Sequence, residues 1–256
     1  MRTGFAVTLL LLALVGCARA QTPDEAQAPQ AQAAASAQSP VEIADGRQAE
    51  AWVDLTEWQA RPPMQRATGA AQAHWRAQDP SYEEEVLVMD VVDGAFTEPG
   101  AEQQAVLYLM SPWPRCCPKM GLAVIEDGRL VRNVAFENVA QDLKPIPDLD
   151  RDGRDEIVYI GSFGMGGQNT TGFTLVSFGA DGVTEWSGPS IQDDSCAAMQ
   201  PGATAARVTA LPGPEFTIER YSKATCEATE WQSVGGPEPL ELDPQPGTSY
   251  VDLPTE

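Results

Sequence analysis

After Pro80 the chain reads as a succession of short apolar runs separated by Gly, Asp and Pro, with no interval long or periodic enough for a crossover helix. Parallel strands need such crossovers. The pattern therefore restricts this region to mostly antiparallel β-structure and disfavours a parallel α/β sheet with a nucleotide site. The runs are 86–92, 105–110, 122–125, 130–136, 157–160, 173–178, 207–211 and 216–221. Asp127-Gly128 and Asp181-Gly182 supply the left-handed positions that tight hairpin turns require, and Pro212-Gly213-Pro214 and Gly235-Gly236-Pro237 mark further reversals. The glycine-rich stretch 161–172 lacks the Lys-Ser/Thr of a phosphate loop, so it reads as a flexible connection between strands.

The segment 41–80 is the least strand-like part of the body. Trp52, Leu55 and Trp58 fall at near-helical spacing, and 64–78 is rich in Ala, Gln and Arg with Trp75 near its end. Pro62-Pro63 separates two expected short helices. The tryptophans offer either a stacking shelf for a ligand or ordinary packing, and helical spacing favours packing. Residues 41–80 are thus expected as a short helical segment ahead of a mainly β domain over 81–256.

Charge narrows the function. With 37 acidic and 16 basic residues the net charge is −21, which provides no electrostatic footprint for a phosphate backbone and argues against nucleic acid as a partner. His74 is the only histidine, so no site built on two imidazoles can form and any His-dependent triad must use that residue.

Residues 1–20 have the form of an export signal: Arg2 as the charged start, an apolar run over 5–15, then small residues. The run is too short for a transmembrane helix. It ends in Leu14-Val15-Gly16-Cys17, which resembles the bacterial lipobox, and the resemblance implies lipidation of Cys17 as the mature N-terminus. The competing reading is cleavage after Ala18-Arg19-Ala20, which discards Cys17 and gives a secreted soluble protein. Residues 21–40 are almost entirely Ala, Gln, Pro and Ser and cannot bury a core, so they read as a disordered tether with a reach of roughly 25 Å. The expected location is the bacterial cell envelope, held to the membrane through the lipid and facing periplasm or exterior. The anionic body itself would stand off anionic lipid.

The sharpest chemical feature is Asp148-Leu149-Asp150-Arg151-Asp152-Gly153-Arg154-Asp155-Glu156. Oxygen ligands at alternate positions, followed by a glycine that lets the backbone turn, suit a hard cation of calcium's size. Asp148, Asp150 and Asp152 would take positions one, three and five, Arg154 would offer its main-chain carbonyl at seven, and Glu156 a carboxylate at nine. An EF-hand needs a bidentate Glu at position twelve on an emerging helix, but Tyr159 stands there inside a β-branched run. The segment resembles instead the FG-GAP and VCBS-type repeats of integrin-like β-propellers, in which a DxDxDG loop leads straight into a strand. That resemblance implies structural calcium and a role in adhesion, ligand binding or scaffolding rather than catalysis. A fainter copy lies at 95–102, where aligning Gly100 with Gly153 gives a spacing of 53 residues, close to one propeller blade. Ala95, Thr97 and Pro99 occupy its would-be ligand positions, so it should bind no metal. The expected architecture is a short propeller-like array or a sandwich, not a closed ring.

Setting Cys17 aside leaves Cys116, Cys117, Cys196 and Cys226, an even number for an oxidising compartment. Cys196 and Cys226 are plausible partners, although three pairings are possible. Cys116-Cys117 admits a vicinal disulfide or a soft-metal thiolate pair near Arg115 and Lys119, or separate bonds to the distal cysteines. Asn169-Thr170-Thr171 matches a glycosylation acceptor, of little weight in a bacterial lipoprotein, and Glu83-Glu84-Glu85 reads as a solvated strand entrance. The sequence thus favours a non-enzymatic, calcium-binding envelope lipoprotein acting as a binding or scaffolding module for a protein or glycan ligand. The alternative is an envelope redox or hydrolytic enzyme using Cys116-Cys117 or a carboxylate pair that spacing does not single out.

Overall fold

The computed structural model describes residues 39–48, 54–81, 86–111, 118–199, 201–247 and 249–256. The export signal with Cys17, nearly all of the tether, Trp52, Glu83-Glu84-Glu85 and the Cys116-Cys117 pair lie outside the described residues. All described residues fall within one unit, Ala37–Glu256.

The chain is mainly β, with antiparallel pairing throughout its ladders and two helices among the described residues. Strand β1 (Val41–Asp45) opens the segment expected to be helical, because Ile43 and Ala44 bury against β11 (Ala203–Leu211), with which the strand pairs. Helix α1 (Thr56–Gln59) is a single turn; α2 (Pro62–Gln78) begins with prolines at its first two positions, where a missing N–H costs nothing.

A five-stranded sheet contains β2 (Leu87–Gly94), β3 (Gln103–Leu109), β4 (Lys119–Glu126) and β5 (Arg129–Glu137), with the short β16 (Val251–Asp252) beyond β5. Asp127-Gly128 makes the β4–β5 turn with φ of 48° and 71°, the left-handed pair its sequence predicts. An eleven-stranded sheet is built on β6 (Asp142–Ile146), β7 (Glu156–Met165), β8 (Gln168–Gly179), β10 (Gln192–Asp194), β11, β12 (Glu215–Ser222) and β13 (Gln232–Ser233). Branching from it are β1, β9 (Gly182–Ser187), β14 (Glu238–Leu240) and β15 (Gln245–Pro246). The glycine-rich stretch 161–172 is not a loose connection: β7 and β8 run through it in register and only Gly166-Gly167, both at positive φ, make the turn.

Each loop singled out by the 53-residue spacing leads into a three-strand antiparallel run, β3-β4-β5 after 95–102 and β7-β8-β9 after 148–156. Gly100 and Gly153 both have positive φ, at 70° and 88°.

Alternation along the strands sorts the core into layers. Leu107, Leu122 and Phe136 of the smaller sheet share one cluster with Ile157, Tyr159, Val176 and Phe178 of the larger sheet, so the two sheets meet over a common apolar layer. The opposite face of the smaller sheet carries Val106, Tyr108 and Ala123 against Met64, Ala67, Ala71 and Trp75 of α2. Trp58 and Trp75 are buried there, as packing residues. One polar link fixes the helix: Asn133, fully buried, donates from Nδ2 to Ala67 O (3.0 Å) and accepts at Oδ1 from Tyr108 Oη (2.7 Å).

The C-terminal chain closes both sheets along their margins. β15 pairs with β9 of the larger sheet, and six residues on β16 pairs with β5 of the smaller one. Tyr250 between them donates to or accepts from Tyr159 Oη at 2.9 Å.

Candidate metal centre

The loop joining β6 to β7 is held at its base by apolar residues. Ile146 and Leu149 are 0% and 1% exposed within the same cluster as Val158 and Phe216. Leu149, between Asp148 and Asp150, thus points inward while its acidic neighbours stay outside.

Long-range bonds fix the rest. Gly213 N–H donates to Leu149 O (2.8 Å), and Arg151 Nη2 donates to Pro212 O (2.8 Å), tying the loop to the β11–β12 turn. Asp155 and Ala95 exchange two bonds: Asp155 N–H to Ala95 O at 2.8 Å, and Ala95 N–H to Asp155 Oδ2 at 2.8 Å. The fainter upstream loop is therefore the physical buttress of the acidic one. At Gly153 a Cβ would lie 3.0 Å from Pro99 Cβ, on top of the strain of its positive φ.

Asp148, Asp150 and Asp152 each bring one carboxylate oxygen to within 4.8 Å of the others, the one such acidic, His or Cys convergence among the described residues. Backbone N–H groups orient all three. Gly153 N–H donates to Asp148 Oδ1 (3.0 Å), Asp152 N–H to Asp150 Oδ1 (3.1 Å) and Arg154 N–H to Asp152 Oδ1 (2.9 Å). Partial burial pushes the Asp150 carboxyl above its ordinary value, and the charges of Asp152 and Asp148 push the same way.

Glu156 lies outside the converging triplet but is part of the same electrostatic unit. Its side chain is 0% exposed; Oε2 accepts from Leu149 N–H at 2.7 Å, whereas Oε1 is buried without a hydrogen-bond partner. Burial pushes this carboxyl up to about 8, and repulsion from Asp150 and Asp152 adds to that effect. A buried oxygen with no donor costs free energy, and a cation beside it would remove the deficit. The donor set, three converging carboxylates with Glu156 next to them in the same loop, is oxygen only and suits a hard divalent ion of calcium's type rather than a soft one.

Arg154 contributes something its expected ligand role does not include. Its guanidinium Nη2 pairs with Asp152 Oδ2, so both oxygens of that carboxylate are engaged by one residue. The guanidinium also lines a cavity of about 290 Å³ with Thr97, Glu98, Glu126, Arg132 and Phe178. Neither Ala95, Pro99 nor Arg154's side chain was marked by the loop's own spacing, although the upstream glycine alignment pointed at the neighbourhood of the first two.

Cys196 and Cys226 form a disulfide, with S–S 2.00 Å and Cα–Cα 5.6 Å. No helix among the described residues is long and apolar enough to cross a membrane. Comparison with protein families, with curated proteins and with solved structures yields no match for this chain.

Proposed function

We propose that this chain is a non-enzymatic, calcium-binding lipoprotein of the bacterial envelope, anchored through Cys17, whose two sheets form a calcium-braced sandwich that serves as a binding or scaffolding module. The observation that carries the reading is the buried, unpartnered Glu156 Oε1 beside three converging aspartates. The shared apolar layer between the sheets favours the sandwich over an open array, and the two loop-plus-three-strand units support the likeness to FG-GAP and VCBS-type repeats. Calcium at the loop would brace β7, the β11–β12 turn and the 95–102 segment at once, because all three already bond to it. A protein or glycan ligand would meet the loops of this rigid body.

Extracellular calcium modules have dissociation constants near 10⁻⁴ to 10⁻³ M, so calcium in tenfold excess stabilises the fold by roughly 1.4 kcal/mol. Calorimetric titration of the full chain should give a dissociation constant in that range, and Asp150→Asn should abolish the heat. Identical melting curves in calcium and in EDTA would contradict the reading. Membrane fractionation of wild type and Cys17→Ser tests the anchor, with the variant expected in the soluble fraction.

A further inference from the structure

The calcium reading leaves one loop residue with a second role. Of the four carboxylates, Asp148, Asp150 and Glu156 are each held through one oxygen by a backbone N–H, with no ion pair to a basic side chain among the described residues. Asp152 is the exception, since its second oxygen carries the Arg154 guanidinium. We propose that Arg154 is a built-in competitor for the cation: its guanidinium holds Asp152 in the empty loop and must leave that oxygen as calcium enters, so that Arg154 sets the affinity of the site. The inference rests on the proposed calcium site, whose independent mark is the fully buried and unpartnered Glu156 Oε1.

Geometry supplies both ends of the movement. Arg154 is two residues from Asp152, so its reach to that carboxylate costs little chain ordering, and the pair is about four-fifths covered on the arginine side, with 21% of the side chain exposed. Its side chain borders the cavity of about 290 Å³ that Glu98 and Glu126 also line. Glu126 accepts from Gln103 Nε2 at 2.8 Å through Oε2, and among the described residues no basic side chain is ion-paired with it. The displaced guanidinium therefore has acidic side chains in the cavity it already lines, on the β2–β3 connection and the end of β4. Calcium entry would transfer an arginine contact from within the loop to the neighbouring sheet. Arg151 provides the comparison: it bears the same charge in the same loop but is committed to Pro212 O, away from the carboxylates.

The test is calorimetric titration of CaCl₂ into the full chain for wild type, Arg154→Gln, Arg154→Lys and Arg151→Gln at fixed ionic strength. Loss of a partly exposed ion pair corresponds to about a fivefold change in affinity. Arg154→Gln should bind about fivefold tighter than wild type, Arg154→Lys should return close to wild type, and Arg151→Gln should change affinity less than twofold. Binding by Arg154→Gln alone also supports the competitor. Wild-type binding with no gain in Arg154→Gln, or with an equal gain in Arg151→Gln, overturns the inference and leaves the calcium site standing. Absence of binding in wild type and Arg154→Gln alike overturns the calcium reading itself.

Discussion

Gly121→Ala tests the link between α2 and the sheet beneath it. A Cβ at Gly121 would lie 2.0 Å from Tyr108 Cζ and 2.3 Å from its Oη, because the tyrosine ring lies over the glycine on the neighbouring strand. Gly121 is not at positive φ, so the perturbation is steric and not conformational. Tyr108 is fully buried and its hydroxyl donates to Asn133, which in turn holds Ala67 O. Displacing the ring costs about 1–3 kcal/mol for overpacking. Losing the hydrogen bond and stranding a buried polar group add about 2 kcal/mol, giving about 3–5 kcal/mol in all. Unfolding entropy of roughly 2.1 cal/mol/K per residue over the unit Ala37–Glu256 converts this into a fall of about 6–11 °C in melting temperature. Differential scanning calorimetry in calcium buffer measures it, with Tyr108→Phe as the comparison that removes only the hydroxyl and costs about 1–2 kcal/mol. A loss below about 1 kcal/mol for Gly121→Ala would show that the ring repacks freely and that the Tyr108–Asn133–Ala67 link does not fix the helix.

Gly153→Ala meets both a φ of 88° and Pro99 Cβ at 3.0 Å, so it should lower stability by about 1–2 kcal/mol and weaken calcium binding in the same titration; unchanged affinity would mean that the turn does not set the ligand geometry. Replacing Cys196 and Cys226 together by Ser should cost about 3–4 kcal/mol, seen as a lower denaturant midpoint; an unchanged midpoint would show that this bridge does not constrain the unfolded chain. The carboxyl of Asp90 is raised by burial despite accepting from Leu143 N–H (2.6 Å) and Val91 N–H (2.7 Å). Its folded form retains the proton longer than the unfolded chain, so its contribution to stability declines as pH rises from about 4 through the folded value. Asp45 acts in the opposite sense: burial raises its carboxyl, but the bonds and charge of Arg47 outweigh this and hold it low, so its contribution is lost as pH falls through the folded value. Melting temperatures between pH 3 and 7 should show a flatter upper limb in Asp90→Asn than in wild type; parallel profiles would rule out Asp90 as the titrating group.

Eight strands were legible because each carries an apolar run that neighbouring strands bury on one or both faces, as Ile157, Val158 and Tyr159 do on alternate sides of β7. β6, with Lys144 and Pro145, and β10, a Gln-Asp-Asp triplet, have no such run and owe their extended form to the neighbours that pair with them. The two-residue strands near the C-terminus have the same origin. The stretch 161–172 misleads because glycine signals freedom, whereas here flanking ladders remove it; at Gly161 a Cβ would lie 1.9 Å from Val139 O, so close backbone approach explains that residue. The triplet of aspartates was readable since alternate spacing within one turn fixes their convergence locally. The Asp155–Ala95 bonds span sixty positions and the Arg154–Asp152 pair depends on a rotamer, and neither leaves a trace in local spacing.

A single short segment finishes one border of each sheet, since β15 and β16 lie along β9 and β5 respectively. Without that segment, β9 and β5 would each present open amide and carbonyl groups able to recruit another chain. Clipping after Pro244 would expose those adhesive borders, making the segment 245–252 a safeguard of solubility as well as a part of the fold.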